Sequence, residues 1–283
     1  MIDWLLAPLA YGFMQRGMLA GVIVGVLCAV IGCFVVLRSM AFIGDAMAHA
    51  VLPGVAISYL LKGDLLVGAL GAALAVAFGI GALSRRGDVR EDSAIGILFA
   101  AALALGVLLI SSIRTYAVDL SHILFGNVLG VSARDLVLTG AAAAAVLAAI
   151  GLLYKELVVV SFDPVLAATL RLPAERLRMT LLVLLAITIV VSLQTVGIGL
   201  VSALLITPGA AAHLLTRRLP RMMAIAAAIG VASSVIGLYA SYYLDVASGA
   251  AIVLTATGFF VLAFLFAPRR GVAWRLAGRR RAG

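Results

Sequence analysis

Apolar residues in this chain occur in long runs that no charged residue interrupts. Six runs contain no Asp, Glu, Lys or Arg: 17–37, 65–84, 93–113, 136–154, 222–244 and 246–268. A further uncharged stretch, 179–216, is long enough for two passes. Each single run is close to the roughly 20 residues that a helix needs to cross the hydrocarbon core of a bilayer. The runs do not alternate polar and apolar residues as barrel strands would, so we predict helices.

These runs predict an all-α, polytopic membrane protein with eight or nine spans. We expect spans near 17–37, 41–61, 65–84, 93–113, 135–154, 179–194, 197–215, 222–242 and 247–267. A re-entrant helix counted as a span would reduce the number to eight. We expect one transmembrane domain over 1–283, with 1–16 as an interfacial N-terminal helix. The turn-rich segment 122–132 is expected to form a short helix on the outer face.

Composition and charge agree with a membrane protein and exclude other classes. The chain is 65% hydrophobic and only 12% charged, against about 25% charged in soluble domains. The net charge of +9 does not indicate nucleic acid, because the arginines gather in short connections and in the tail 268–283. By the positive-inside rule these clusters mark the cytoplasmic side and place the C-terminus there. Cys28 and Cys33 lie within the first span and predict packing rather than metal or redox chemistry.

The second span carries a carboxylate and a histidine within an otherwise apolar stretch. Asp45 and His49 are four residues apart, so they share one helix face at about 5–6 Å. A carboxylate within a span costs about 2.5–3.5 kcal/mol on insertion scales, and such residues mark functional sites by default. Asp and neutral His together can ligate a divalent transition metal. The alternative is that the two side chains only hydrogen-bond each other or a neighbouring helix.

Pro-Gly steps occur in both halves of the chain. Pro53 and Gly54 follow His49, and Pro208 and Gly209 precede His213. Both steps are expected to break their spans, and paired interruptions in two halves are typical of transport sites. For His213 a helix-end position is the favoured interpretation, and for His122 a surface position in the outer loop, although a ligand role stays open for both.

The connection 158–178 is the longest one on the predicted cytoplasmic side. Asp163 can cap a short helix that has Pro164 at its first position and runs to about Leu170. A turn at Pro173 then leads back into the membrane. Such a helix suits docking to a cytoplasmic partner, although an ordinary solvated loop has the same pattern.

Taken together, these segments resemble the permease subunits of the ABC importers for manganese, zinc and iron, the ABC-3 type. The resemblance rests on GDAMAHAVLPG (44–54), REDSAIGILF (90–99), LFGNVLGVS (124–132), FDPVLAATLRLP (162–173), VSALLITPGAAAHLL (201–215) and SGAAIVL (248–254). The motifs follow in order over nearly the whole chain, which makes the resemblance specific.

The resemblance implies a type II ABC importer permease in a bacterial plasma membrane. It implies a homodimer with the pathway at its interface, a cytoplasmic ABC ATPase dimer and an extracytoplasmic metal-binding protein or lipoprotein. It implies that Asp45 and His49 are the intramembrane metal ligands and that 162–173 is the helix that contacts the ATPase. The residues of that contact are Phe162, Asp163, Pro164, Ala167, Leu170 and Arg171. Arg171 stands where the family commonly has glycine, so we expect a differently shaped helix end.

The predicted function is therefore import of a divalent metal, with manganese ahead of zinc and iron. The metal is cargo, and no permanently bound cofactor is expected. The chain contains no P-loop, so ATP hydrolysis is expected in a separate subunit and this chain is not expected to be an enzyme. Alternatives are an importer of metal chelates, a proton-coupled metal transporter without an ATPase, and a membrane scaffold that transports nothing.

Overall fold

Helices form all the regular structure in the described residues, which are 7–40, 42–85, 89–112, 128–162 and 164–267 of a computed structural model. The long helices are α1 (Gly12–Leu37), the pair α2 (Ile43–Ala50) and α3 (Leu52–Leu60), α4 (Leu65–Ser84), α5 (Glu91–Ser111) and α6 (Ala133–Leu152). After the short helices α7 (Tyr154–Phe162) and α8 (Pro164–Thr169) come α9 (Ala174–Val196), α10 (Ile198–Leu215), α11 (Leu219–Leu244) and α12 (Ser248–Phe266).

Nine segments in this part of the chain are long and apolar enough to cross a membrane, which matches the higher predicted number. They coincide with the nine expected spans, and α2 with α3 form the second. Residues 1–6 and 268–283 lie outside the described residues, so the predicted basic tail does too. The N-terminal prediction needs correction: Pro8–Ala10 is a 3₁₀ turn and α1 begins at Gly12, so 12–16 continue the first span.

Helix α1 lies at the centre of the bundle. It packs against α10 and α11 on one side and against α6 and α9 on the other, while α12 covers α10 and α11. The second span packs against α4 and α5, and its first half, α2, also packs against α9 and α10. Small residues allow this arrangement, because helices in lipid associate through close van der Waals packing. Gly17 lies against Val128, Gly21 against Ser234 and Gly25 against Gly230.

The closest contact of α1 is with α10. A Cβ atom on Gly32 would overlap the backbone carbonyl of Leu205, so only glycine fits there. Leu205 also reaches across to Gly44 in α2, where its Cδ2 atom occupies the space of a Cβ. Gly209, one turn beyond Leu205, would place a Cβ 3.3 Å from the backbone of Gly32. Glycine at these positions therefore fixes α1, α10 and α2 relative to one another.

The predicted break at Pro208 and Gly209 is wrong. Helix α10 runs without interruption from Ile198 to Leu215 with Pro208 inside it. A proline removes one backbone hydrogen bond, and buried spans tolerate this when neighbouring helices hold the segment in place. Pro208 and Gly209 are both buried, and the contact of Gly209 with α1 supplies such support.

The turn between α9 and α10 consists of one residue. Gly197 has φ 83°, a conformation that glycine adopts without the steric cost of a Cβ. Of the predicted outer segment 122–132, only 128–132 is described, with a single 3₁₀ turn at Val128–Gly130. The predictions for the rest of that segment, including His122, fall outside the described residues.

We expect Gly32→Ala to destabilise the protein, because the added methyl group overlaps the backbone of α10. Overpacking of this kind costs about 1–3 kcal/mol. The thermal unfolding midpoint of the purified protein in detergent measures the effect. Gly71→Ala is the control, since nothing lies within 4 Å of a Cβ at that position. Equal unfolding midpoints for the two variants would contradict the proposed packing.

Candidate metal site

The candidate ligands lie on the short helix α2, at the edge of the bundle. Ile43, Met47 and Ala50 are buried against the neighbouring helices, which fixes the orientation of α2. The opposite face carries Asp45, whose side chain is 53% exposed, and His49, whose side chain is 24% exposed. Both predicted ligands are therefore on the face of this protomer that remains open to a partner, to lipid or to an aqueous pathway.

The geometry of the pair orients the imidazole. His49 Nδ1 lies 3.0 Å from the backbone carbonyl oxygen of Asp45 and 3.6 Å from Asp45 Oδ1. A carbonyl only accepts hydrogen bonds, so the hydrogen of a neutral imidazole resides on Nδ1. The lone pair of Nε2 is then available for a metal, because a hydrogen bond from one ring nitrogen of a ligating histidine usually leaves the other nitrogen for the metal.

Phe99 also positions the histidine ring. The rings of His49 and Phe99 are perpendicular, with centroids 5.8 Å apart. Phe99 belongs to α5, which packs along α2. Phe99 lies within the motif REDSAIGILF, but the sequence alone did not indicate a role for it. As the aromatic residue of an otherwise aliphatic span, it could have been singled out as a possible contact of the histidine.

The second span is interrupted, as predicted, although not at the proline itself. Helix α2 ends at Ala50, Val51 forms the turn, and α3 begins at Leu52 with Pro53 in its first turn. Pro53 has no N–H to donate to the carbonyl of His49, which explains an interruption just before it. Gly54 packs against the backbone of Gly68 in α4. Hence Pro53 and Gly54 are buried packing residues behind the ligand pair.

The other predicted residues do not join this pair directly. Pro208 and Gly209 lie in α10, whose Leu205 contacts Gly44, the residue before Asp45. His213 lies in the last turn of α10, as the favoured interpretation predicted. In the ranges that the structure describes, no group of three or more His, Cys, Asp or Glu residues is close enough to hold a metal ion. Among the described residues, Asp45 and His49 are therefore the two candidate ligands that one chain offers.

The predicted docking helix is present as α8, Pro164–Thr169, with Asp163 outside the described residues. Ala167 is fully buried, whereas several apolar side chains around it are exposed: Phe162, Val165, Leu166 and Leu170. We call these four residues the α8 patch. An exposed cluster of large apolar side chains in a polar connection is typical of a protein interaction site.

The expectation of a differently shaped helix end at Arg171 is wrong. Arg171 has φ 52° and is left-handed, the conformation that glycine usually supplies there. The N–H of Leu172 donates to the carbonyl of Ala167 at 3.0 Å, which completes a Schellman motif with Arg171 as the left-handed residue. The hydrogen bonds of the motif hold arginine in this conformation despite a cost of about 1–2 kcal/mol.

A network of charged residues around Arg178 lies near the arginine-rich ends of the helices. The sequence did not predict which residues it brings together. Arg178 of α9, with its side chain only 12% exposed, lies 2.8 Å from Glu175 and 3.6 Å from Glu91 and donates to the carbonyl of Gly81 at 3.0 Å. Burial lowers the pKa of nearby Arg38 below its usual value, and Glu91 opposes that shift. This network joins α4, α5 and α9.

Nine membrane-length helices in the described residues, packed around a buried first span, define a polytopic membrane protein, and the second span carries the candidate ligand pair. The family model described as the ABC 3 transport family matches residues 10–267, and the chain belongs to that family. The manganese transport system membrane protein MntC of Halalkalibacterium halodurans is 50% identical over 97% of this chain and 94% of its own.

Two further comparisons cover nearly the whole chain. A probable iron transport system membrane protein of Haemophilus influenzae is 40% identical over 95% of this chain and 99% of its own. The solved structure of PsaBC from Streptococcus pneumoniae in complex with Fab is similar with a TM-score of 0.84 and 38% identity, over 95% of this chain and 98% of that chain. The comparisons confirm the all-α fold and the family that the motifs indicated.

We expect Arg171→Gly to stabilise the end of α8, because glycine adopts the left-handed conformation without a Cβ clash. A gain of about 1 kcal/mol corresponds to roughly fivefold slower amide exchange. Hydrogen–deuterium exchange of a peptide covering 164–174 measures it. Arg171→Ala is the matched control, since it removes the same charge and keeps the strained backbone. Equal protection in the two variants would show that strain at this residue is negligible.

Proposed function

We propose that this protein is the permease subunit of an ATP-driven importer of divalent transition-metal ions, and that manganese is its ion. The observation that carries the proposal is the Asp45–His49 pair. It combines a carboxylate with an imidazole whose Nε2 is available, on an open face of a membrane span. An ordinary structural pair would be expected to face the bundle interior, where its hydrogen bonds stabilise helix packing.

A homodimer would complete the metal site. Two ligands from one chain fall short of the four to six that divalent transition metals take. Because Asp45 is exposed at the bundle edge, a second copy facing it would supply another Asp45–His49 pair. We propose that the two pairs meet across the pathway and replace water on the ion as it passes.

The remaining proposed partners follow from the orientation of the chain in the membrane. We propose that the arginine-rich connections and the C-terminus face the cytoplasm of a bacterial cell, by the positive-inside rule. A cytoplasmic ABC ATPase dimer would cover the α8 patch, and Phe162, Asp163, Pro164, Ala167, Leu170 and Arg171 would form or support that contact. An extracytoplasmic metal-binding protein would deliver the ion to the opposite side.

The choice of manganese rests on the relatives. Asp and His ligands suit manganese, iron and zinc alike, so the site does not select among them. The relative from Halalkalibacterium halodurans, at 50% identity, is named for manganese, whereas the 40% identical relative from Haemophilus influenzae is named for iron. Uptake measured with each metal separately distinguishes these ions and also a metal chelate.

We expect Asp45→Asn and His49→Gln each to lower metal affinity at least tenfold, because each removes one ligand from both halves of the site. Equilibrium binding of Mn²⁺ to the purified homodimer measures this directly, and uptake by cells that carry the ATPase and binding protein should fall in parallel. Asp245→Asn is the control: it removes an exposed carboxylate at a left-handed position that asparagine accepts.

Unchanged Mn²⁺ binding in both site variants would contradict the assignment of Asp45 and His49 as ligands. Unchanged binding together with uptake that follows the proton gradient rather than ATP would favour the proton-coupled alternative. Loss of binding with normal folding, measured by the unfolding midpoint, supports the proposed site.

We expect Val165→Asp to prevent association with the ATPase, since Val165 is 77% exposed at the centre of the α8 patch and a buried carboxylate opposes docking. Co-purification of the ATPase with the permease measures the loss. Arg176→Gln, an exposed change in the same connection but outside the patch, should leave association intact. Normal ATPase recovery with Val165→Asp would exclude the patch as the contact.

A further inference from the structure

A cavity of about 480 Å³ lies between α7 and the connection from α10 to α11. One wall is the face of α7 formed by Tyr154, Val158 and Phe162, which recur every four residues. The other wall contains the arginines of the connection and of the first turn of α11: Arg217, Arg218 and Arg221. The cavity is therefore apolar on one side and strongly cationic on the other.

Among the residues that the structure describes, no carboxylate forms an ion pair with these three guanidinium groups. Within the described ranges the ion pairs involve only His49 with Asp45 and Arg178 with its two glutamates. Glu156 of α7 lies two residues after Tyr154, on a different side of that helix from the cavity wall. Three like charges around one cavity repel each other, so an anion between them is favoured.

The start of α11 adds to this preference for an anion. Helix α11 has 26 residues, and its N-cap, Arg218, makes no capping hydrogen bond with its side chain. The first N–H groups of a long helix and its dipole favour negative charge at that end. On the facing wall, the phenol of Tyr154 is protonated at neutral pH and can donate a hydrogen bond to an anion.

An apolar groove of about 490 Å³ lies further along the same helix. Ile225, which lines the groove, is one turn beyond Arg221 on the same side of α11. The groove continues between α11 and α12, two membrane-length helices, and its lining is almost entirely apolar: Leu215, Ile229, Phe259, Leu262 and Phe266 line it with Ile225. A cationic cavity at the helix ends and an apolar groove between membrane-length helices thus lie along the same side of α11.

We propose that this region binds an anionic phospholipid, with its phosphate among Arg217, Arg218 and Arg221 and an acyl chain in the groove between α11 and α12. Basic pockets between helix ends at the membrane surface suit such head groups. The groove favours a lipid over a soluble anion, because a free phosphate has no chain to fill it. It also favours a lipid over the ATPase, because the groove lies along membrane-spanning helices.

The test adds lipid to the full-length, detergent-purified protein and counts bound molecules by native mass spectrometry. Phosphatidylglycerol is the probe, and phosphatidylcholine and sn-glycerol 3-phosphate are the comparison arms. The test variant is R217Q/R218Q/R221Q. The matched control is R85Q/R90Q/R176Q, which removes the same charge from exposed arginines outside the cavity. Since each surface arginine contributes roughly fivefold to anionic lipid binding, we expect the test variant to lose at least tenfold in affinity.

Wild type and the control variant should retain phosphatidylglycerol, while the test variant should not. Phosphatidylcholine and glycerol phosphate should bind weakly to all three. Equal retention by the test and control variants would overturn the proposal, and so would glycerol phosphate binding as tightly as the lipid. If the test variant retained lipid normally but lost co-purifying ATPase, the arginines would be ATPase contacts and the lipid site would be wrong. Because no arm uses the transported metal, these outcomes are independent of the ion that the permease carries.

Discussion

The backbone contact between α1 and α10 is the constraint on which the position of the candidate metal site depends. Gly32 allows the carbonyl of Leu205 to occupy the place of a side chain, and the side chain of Leu205 then fills the space above Gly44. Asp45 follows Gly44 directly, so its position depends on the contact between α1 and α10. Because lipid provides little hydrophobic driving force between helices, such contacts carry much of the packing energy.

Backbone hydrogen bonding imposes the second constraint, and the two prolines meet it differently. Pro53 follows a helix of only eight residues, and the chain ends α2 and starts α3 around it. Pro208 has ten helical residues before it in α10, and Gly209 lies directly against α1. A single missing hydrogen bond is therefore insufficient to break α10. The same residue type ends one helix and is accommodated in another because the packing around it differs.

Features that depend on neighbouring residues could be predicted from the sequence, whereas contacts between distant segments could not. The uncharged runs predicted the spans, and the spacing of Asp45 and His49 placed both on one face of α2, because both signals depend on nearby residues. The orientation of the imidazole depends on a carbonyl and on Phe99 of another helix, and the pairing of Arg178 with Glu91 joins residues far apart in the chain. Arg171 adopts the left-handed conformation that usually requires glycine, because the hydrogen bonds around it outweigh the strain.

Charged groups with a structural role differ from those available for binding in how many of their partners lie within the chain. Arg178 has two carboxylates and a backbone carbonyl around it, so its charge is compensated and it serves to hold α4, α5 and α9 together. His49 donates to one backbone acceptor, the carbonyl of Asp45, and the pair keeps an exposed carboxylate and an available ring nitrogen. Placing ionisable groups in a membrane span costs free energy. In the proposed function, a bound metal ion would offset that cost, so the incompletely paired Asp45 and His49, rather than the compensated network of Arg178, are the groups we propose for transport.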